Sequence, residues 1–307
     1  MGKQNWRKLG LLLAPDGQLS WARTHVAVPV AVPLDSQRYR VFVTGRDSEG
    51  RSNIGHFELN FTSDPPSAGP LSDLPALSPG QLGCFDDRGA MSSWVVTHQG
   101  RQLHYYTGWN LGVTVPFYFS IGLAVSDDGG KTLKRFSQGP ILGRSSVDPI
   151  LTASACVLLE NEIWRMWYVS AAKWVSATPR AKHYYHIRYA ESQDGISWRP
   201  TGKICVDFRD AKEYAISRPC VLHENGLYRM WFSHRGASYR IGYAESSDGL
   251  EWERHDDYVG LDVSASGWDS EMIEYPFVFR RGQRLYMLYN GNGYGATGVG
   301  LAVLDES

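Results

Sequence analysis

The chain has 307 residues, a formal net charge of −1 and a hydrophobic content of 43%. A chain of this length can bury a large core, and its near-zero charge excludes a broad cationic surface for nucleic acid or an anionic membrane. No apolar run reaches the roughly 18 residues of a transmembrane helix. Residues 1–6 lack the apolar core of a signal peptide, so the sequence predicts a cytoplasmic location.

In chain order, an apolar segment at residues 9–13 is followed by five copies of one pattern, spaced by about 60 residues. The third and fourth copies are the clearest, because Trp164-Arg165-Met166-Trp167 returns as Tyr228-Arg229-Met230-Trp231. Helical repeats are usually shorter, about 33 to 47 residues. The five copies occupy residues 20–62, 83–138, 148–204, 213–258 and 271–304.

Each copy carries several runs rich in Val, Ile, Tyr, Phe and Trp, separated by Gly, Asp and Ser, which is typical of strands and turns. The pattern predicts a single all-β domain over residues 1–307, a five-bladed β-propeller with four antiparallel strands per blade. The fifth copy ends soon after its third strand. We therefore expect residues 9–13 to supply the missing strand and close the ring, which would leave no exposed sheet edge there.

Antiparallel topology narrows the search for a site, because first strands begin and second strands end on the same face of a propeller, around its central channel. Polar residues at these positions are expected to converge on one pocket. The candidate catalytic carboxylates are Asp86, Asp87, Asp148, Glu271 and Glu274. The candidate substrate-binding residues are His25, Arg46, Trp109, Asn110, Glu213, Arg218, His234, Arg235, Tyr275, Asn290 and Asn292.

This composition suits a sugar or sugar phosphate, since carboxylates and amides bind hydroxyls, indoles stack on sugar rings and arginines take anionic groups. Each candidate also has a structural alternative. Asp86-Asp87 and Asp148-Pro149 are good turn sequences, Arg218 could pair with Glu213 or Glu274, and His25 could be a core histidine. The functional and the structural interpretation of each candidate both stay open at this point.

Other motifs carry no chemistry. There is no phosphate-binding Gly-rich loop, no His-Glu-x-x-His and no Gly-x-Ser-x-Gly, so no cofactor and no metal ligand set is predicted, although a channel metal such as calcium stays open. The turns of the type Ser-x-Asp-Gly-x-x-Trp resemble the Asp-boxes of sialidases and are interpreted as structural. The four cysteines lack paired spacing and are predicted to be reduced.

The whole chain resembles the five-bladed propeller glycosidase superfamily, which includes arabinanases, invertases and mannoside phosphorylases. It is most similar to the uncharacterised glycosidase-like proteins of bacterial surface-polysaccharide gene clusters. The segments that carry the resemblance are Thr24-His25, Gly83–Asp87, Tyr106–Asn110, Ser217–Cys220, Trp268–Pro276 and Asn290–Gly295.

The resemblance implies an Asp base or nucleophile on the first blade, a second Asp on a middle blade and a Glu acid on a later one. Asp148 could match the middle Asp, and Glu274 or Glu271 the acid, but the first blade offers His25. Asp86 or Asp87 would then be the base.

Three functions remain open: an inverting glycoside hydrolase linked to polysaccharide or activated-sugar metabolism, a phosphorylase or hydrolase of phosphorylated or nucleotide-linked sugars, and a non-catalytic sugar-binding propeller.

The expected partner is therefore a small sugar, glycoside or sugar nucleotide. No nucleic acid and no membrane partner is expected, and the oligomeric state is left open.

Overall fold

The computed structural model describes residues 2–178 and 180–305, and these consist almost entirely of β-strands. The helical elements among them are a 3-10 turn at Asp256–Tyr258 and a four-residue helix at Asn292–Gly295. The predicted all-β class is confirmed. Within the described residues, no helix is long and apolar enough to cross a membrane.

The described residues form twenty strands, most of them seven to eleven residues long. In order they are β1 Trp6–Leu13, β2 Ala27–Pro33, β3 Arg38–Arg46, β4 Ser52–Asn60, β5 Ser67–Ala68, β6 Gly89–His98, β7 Arg101–Leu111, β8 Phe117–Ser126, β9 Lys134–Arg135, β10 Thr152–Glu160, β11 Ile163–Val175, β12 Lys182–Ser192, β13 Arg199–Val206, β14 Ala215–Glu224, β15 Leu227–Arg235, β16 Tyr239–Ser246, β17 Glu253–Arg254, β18 Glu274–Arg281, β19 Arg284–Asn290 and β20 Val299–Leu304.

The strands pair in antiparallel sets of four. The first set is β2–β5, the second β6–β9, the third β10–β13 and the fourth β14–β17, while the fifth combines β18–β20 with β1. Single parallel contacts join the first set to the second, at Ser52 and Gly89, and the third set to the fourth, at Tyr185 and Ala215. The result is one four-stranded and two eight-stranded sheets.

The N-terminal strand belongs to the last set. β1 pairs antiparallel with β20, from Trp6 opposite Leu304 to Leu13 opposite Val299. This strand contains the segment 9–13 that was expected to supply a fourth strand, and it begins three residues earlier. Its pairing covers the backbone N–H and C=O groups of β20 that would otherwise form an open edge.

Local sequence explains the hairpins within the sets. The turn between β14 and β15 places Asn225 and Gly226 at φ values of 52° and 74°. Asn-Gly is the pair that best tolerates this left-handed conformation in a two-residue hairpin turn. It allows the apolar run Cys220-Val221-Leu222 to fold back directly on the Tyr-Arg-Met-Trp run of β15.

The Ser-x-Asp-Gly turns hold neighbouring sets together, and their structural interpretation is correct. The Ser246 hydroxyl accepts from the Gly249 N–H at 2.8 Å and donates to Asp248 at 3.0 Å. The Gly249 carbonyl then accepts from the indole N–H of Trp167 in the preceding set, at 2.8 Å. The Tyr105 hydroxyl donates to the Gly195 carbonyl in the same way, and Arg40 donates to the carbonyl of Gly129 in the remaining turn. Each turn is therefore bound by a side chain of the preceding set.

The first strands of the five sets form the centre of the molecule. β2 packs against β6, β6 against β10, β10 against β14, β14 against β18, and β18 against β2. Each first strand contains a bulge near its start, where the register with the second strand shifts. In four strands the bulge includes a residue with positive φ, namely Val28, Ser154, Arg218 or Tyr275.

A repeated hydrogen bond fixes these bulges. The N–H of a residue in the bulge is bound by a polar side chain near the end of the second strand of the preceding set, at 2.7 to 2.9 Å. The pairs are Ser92 with Thr44, Ser154 with Thr107, Tyr275 with Ser233 and Val28 with Asn290. We call these four contacts the bulge contacts. These contacts position each set against its neighbour, and none of them involves a charged side chain.

Candidate functional site

One face of the molecule collects the starts of the first strands, the ends of the second strands and the starts of the third strands. On this face the structure groups five of the predicted site residues, His25, Arg46, Arg235, Glu274 and Tyr275, close enough for their charges to influence one another's pKa values. These five residues come from the first, fourth and fifth sets.

Glu274 is the most unusual residue of this group. It is the first residue of β18, it is fully buried, and neither carboxyl oxygen has a hydrogen-bond partner within the described chain. Burial raises the pKa of Glu274 well above its usual value, although Arg235 and the hydroxyl of Tyr275 act in the opposite direction. A carboxyl group in such a place favours its neutral, protonated form.

Tyrosines surround this carboxyl group. The hydroxyls of Tyr185 and Tyr239 lie 2.8 Å apart, and the Tyr239 and Tyr275 rings have centroids 6.1 Å apart. Burial raises the pKa of all three tyrosines, and the nearby Glu274 carboxyl adds to that effect. Tyr275 lies in the bulge of β18 and has a φ of 56°. Because Glu274 and Tyr275 are consecutive residues, one strand contributes both the carboxyl group and one of the aromatic side chains near it.

Arg235, the last residue of β15, places a positive charge close enough to Glu274 to oppose the rise that burial causes in the pKa of its carboxyl group. Its guanidinium carbon lies 5.3 Å from the ring centres of Tyr214 and Tyr239 and 5.4 Å from that of Tyr294. It makes no ion pair with a carboxylate in the described chain. Ring faces rather than an acid therefore stabilise this cation, and its charge stays available to a ligand.

His25 and Arg46 complete the group from the first set. Burial and the neighbouring Arg46 lower the pKa of His25 to about 4, so the imidazole is neutral at pH 7. Its Nδ1 lies 2.8 Å from the Thr24 hydroxyl. His25 therefore acts as a neutral hydrogen-bonding group and does not add a positive charge to that of Arg46.

The predicted catalytic residues Asp86 and Asp148 have a different environment. Asp148 accepts from the hydroxyls of Tyr168 at 2.8 Å and Ser170 at 2.6 Å, and Arg188 lies at 3.3 Å. Asp86 repeats this arrangement with a tyrosine and an arginine, Tyr106 at 3.0 Å and Arg135 at 2.8 Å.

A third copy in the last set involves Asp269, which accepts from Tyr289 at 3.0 Å and from Lys8 at 2.7 Å. In all three copies the tyrosine follows the aspartate by 20 residues. We call these contacts the Asp–Tyr clamps. A buried carboxylate that recurs with a tyrosine and a cation in three sets acts as a structural support. Both oxygens of Asp148 are bound in this way, whereas Oδ1 of Asp86 has no partner in the described chain.

The remaining predicted carboxylates differ from one another. Asp87 accepts from the Gly83 N–H through Oδ2 at 3.0 Å, while its buried Oδ1 has no partner in the described chain. Glu271 is exposed, and its backbone carbonyl accepts from Arg240. Asp87 therefore keeps one oxygen free for chemistry, and Glu271 lies in solvent three residues before the buried Glu274.

Glu213 and His234 belong to an ion-pair network. His234 Nδ1 lies 2.9 Å from Glu213, and Arg254 contacts the two Glu213 oxygens at 2.7 and 3.0 Å. Burial alone would raise the pKa of Glu213, but His234 and Arg254 lower it to about 2. Asp256 brings a third potential metal ligand nearby. The Arg254 guanidinium binds the carboxylates of both Glu213 and Asp256. The positive charge of this cluster is therefore already supplied by the protein.

Three further predicted residues bind backbone groups. Arg218 is buried on β14 and donates to the carbonyls of Ser93 and Pro29, on the first strands of other sets. Asn290 fills one bulge contact and donates to two carbonyls, while Asn292 accepts from Glu271 and Met272 N–H groups in the loop before β18. The hydrogen bonds of these three side chains therefore stabilise the fold.

Trp109 and Asn110 lie at the end of β7 and are half-buried. The Trp109 indole donates to the Ser52 hydroxyl at 3.2 Å, in the first set. Asn110 pairs through its backbone with Tyr118 of β8. Neither residue contacts the Glu274 group in the described chain.

The sequence-based selection missed Lys182, His183 and Tyr185 at the start of β12, together with Tyr239 at the start of β16. The sequence did contain a signal for these residues. Because a third strand runs antiparallel to the second, it begins on the face where the second strand ends. Adding the starts of the third strands to the search would have found all four residues.

No protein-family model matches the chain. Two curated proteins of Mycobacterium tuberculosis, "Uncharacterized protein MT1551" and "Uncharacterized protein Rv1502", are each 43% identical over 305 residues, which covers 98% of this chain and 99% of theirs. Their similarity extends over the whole of both chains.

Solved structures share the fold at low sequence identity. A glycoside hydrolase aligns with a TM-score of 0.76 and 15% identity over 100% of this chain and 93% of its own. A putative glycosidase from Bacteroides thetaiotaomicron gives a TM-score of 0.72 and 15% identity over 99% and 96%. A thermostable family-43 glycoside hydrolase gives 0.65 and 15% over 95% and 92%.

Proposed function

Because the chain belongs to the same family as MT1551 and Rv1502 and has the fold of the β-propeller glycoside hydrolases, we propose that it is an enzyme that cleaves a glycosidic bond. Fold alone does not define an activity. The proposal therefore depends on the chemistry of the site around Glu274.

A single observation carries the proposal: Glu274 is a buried carboxyl group without hydrogen-bond partners, on a face where second strands end and first strands begin. A general acid must hold a proton at the working pH, and burial raises its pKa for that purpose. In this proposal Glu274 protonates the oxygen of the leaving group. The burial of Glu274 keeps its carboxyl group neutral, against the opposing influence of Arg235 and the Tyr275 hydroxyl.

The second carboxylate of the mechanism is proposed to be Asp87. Asp148 has both oxygens bound by hydroxyl groups, whereas Asp86 and Asp87 each keep one oxygen without a partner in the described chain. The other oxygen of Asp86 is bound by Tyr106 and Arg135 in an Asp–Tyr clamp, while that of Asp87 accepts from the backbone N–H of Gly83. Asp87 is therefore the less constrained of the two. As a general base it would take a proton from the attacking water, with inversion at the anomeric carbon. Asp86 and Asp148 would support the site rather than react.

The architecture proposed for this enzyme is a single domain of five blades around a central channel. The closed cycle of contacts among β2, β6, β10, β14 and β18 supports this arrangement. Arg218 supports it too, because it reaches from β14 to the carbonyls of residues on β6 and β2.

The test compares Glu274→Gln with Glu271→Gln, an exposed glutamate three residues away. Both are assayed by proton NMR on a panel of α- and β-glycosides, sugar phosphates and nucleotide sugars. We expect new anomeric signals with the unaltered protein and with Glu271→Gln, and a loss of turnover of at least about 100-fold in Glu274→Gln. Sugar affinity should stay within about threefold.

Turnover retained by Glu274→Gln would remove the acid role of this residue. Saturation transfer to sugars without any turnover would favour the sugar-binding alternative over an enzyme. The configuration of the first anomeric signal distinguishes inversion from retention, and a requirement for inorganic phosphate distinguishes phosphorolysis from hydrolysis.

A further inference from the structure

A wall of alternating cations and aromatic rings extends along the site from the surface toward Glu274. Lys173 lies 4.8 Å from the ring centre of Tyr184, and Lys182 lies 5.4 Å from the same ring. Lys182 also lies 3.5 Å from the ring centre of Tyr214, on whose ring the guanidinium of Arg235 lies at 5.3 Å. We call these five residues the cationic wall.

The cations of this wall have no acidic partner in the part of the chain that the structure describes. Lys173, Lys182 and Arg235 form no ion pair there, although arginines elsewhere on the protein, such as Arg254 and Arg188, contact carboxylates within 3.3 Å. Arg235 is close enough to Glu274 to act on the pKa of its carboxyl group. Since burial favours its protonated form, it does not neutralise the wall.

The two histidines beside the wall are neutral at pH 7. His183 stacks on Tyr185 with ring centres 4.6 Å apart, and burial together with Arg235 and Lys182 lowers its pKa to about 4. His25 is neutral for a similar reason, and Arg46 beside it is a further cation. The cationic wall therefore carries positive charge without an acidic partner in the described residues, next to the neutral Glu274.

We propose that the cationic wall binds an anionic group, a phosphoryl or a carboxylate, carried by the sugar on which Glu274 acts. Arginine binds the oxygens of such groups in a fork, and lysine contributes point charges. The tyrosine faces hold the cations in place and offer flat surfaces for a sugar ring. The proposal rests on the proposed function, because it names the substrate class of the same site.

The packing of the wall supports a preformed subsite. Tyr214 and Tyr239 are buried in one cluster, with Tyr184, Tyr185 and Tyr294 packed against them. Arg235 touches three of these rings. A cation held by several faces loses little freedom when an anion binds, which lowers the entropic cost of binding.

The experiment measures binding of small anions without any need for the true sugar. Inorganic phosphate is titrated into the protein and followed by ³¹P line broadening, and acetate is titrated and followed by saturation-transfer NMR, with glucose as the neutral probe. The variants are Lys182→Gln, Arg235→Gln and the double variant. The matched control is Lys203→Gln, since Lys203 pairs with Glu251 on the outer surface.

We expect phosphate or acetate to bind, and its dissociation constant to rise about tenfold in Lys182→Gln and in Arg235→Gln but not in Lys203→Gln. Tighter binding of phosphate than of acetate assigns a phosphoryl group to the substrate, and the reverse assigns a carboxylate. The proposal is overturned if neither anion binds, or if the double variant binds both as the unaltered protein does while keeping its melting temperature.

The same titration on Glu274→Gln separates this proposal from the proposed function. Anion binding that persists in this variant while its turnover is lost supports both. Turnover that depends on Glu274 without any binding of anions at the wall leaves a glycosidase of neutral sugars and removes the anion subsite.

Discussion

The burial of Glu274 should destabilise the folded protein at neutral pH, and Glu274→Gln should relieve that cost. Glutamine has nearly the same shape but does not ionise, so it removes the pH-dependent cost and keeps the packing. A carboxyl group whose pKa is raised in the folded state contributes stability that is fully present below its unfolded pKa, about 4.3. This stability is lost as the pH rises toward the folded pKa.

The size of the effect follows from the linkage between pKa and stability. Each unit by which folding raises the pKa of Glu274 corresponds to about 1.4 kcal/mol of unfolding free energy at higher pH. At roughly 2.1 cal/mol/K per residue, the unfolding entropy of a 307-residue protein is on the order of 0.6 kcal/mol/K. One unit of pKa shift is therefore worth about 2 °C in melting temperature.

Differential scanning calorimetry at pH 4 and pH 7.5 measures this effect, with Glu271→Gln as the exposed control. We expect Glu274→Gln to melt at least about 2 °C above the unaltered protein at pH 7.5, and the two proteins to agree within error at pH 4. The control should match the unaltered protein at both pH values. A lower melting temperature of Glu274→Gln at pH 7.5 would mean that the carboxylate is ionised and stabilised in the fold, and our account of the site would be wrong.

Two further predictions concern the supporting network. Glu213, whose pKa is lowered to about 2, contributes stability that is present above about pH 4.5 and lost as the pH falls through about 2. We therefore expect Glu213→Gln to be less stable by on the order of 3 kcal/mol at pH 7, and urea unfolding should show the difference shrinking below pH 4.5; a constant difference down to pH 2 would contradict this. Tyr168→Phe removes a hydrogen bond to the buried Asp148 and should cost about 1–3 kcal/mol in urea unfolding, whereas an equal loss in the control Tyr118→Phe would argue against the clamp.

Much of the fold was predictable because the repeat carries its own turn chemistry. Asn225-Gly226 predicts a hairpin, and the Ser-x-Asp-Gly turns recur at matching positions. Counting strands per copy also showed that the fifth copy lacked one, and the structure pairs β1 with β20. These features depend on local sequence, and therefore a single chain is enough to detect them.

The site was harder to predict because residues of the same type at equivalent positions do different things. Asp86, Asp148 and Glu274 all precede or begin a first strand, yet two are engaged by tyrosines and cations and one has no partner. The spacing of 20 residues to a tyrosine distinguishes the clamps, and it was visible in the sequence. The environment of Glu274 depends on side chains from three sets, Tyr185, Arg235 with Tyr239, and Tyr275, and no local sequence pattern records this.

The pairing of β1 with β20 also constrains how the chain can fold during synthesis. The strand around residue 10 leaves the ribosome almost 300 residues before its partner does, whereas each of the other sets is contiguous along the chain and can assemble as it emerges. The apolar side of β1 stays without its partner strand until β20 has been synthesised, so the nascent chain carries an unpaired strand while the four intervening sets emerge. Glu274 lies in the set that this last pairing completes, which makes the candidate acid one of the final parts of the protein to reach its folded environment.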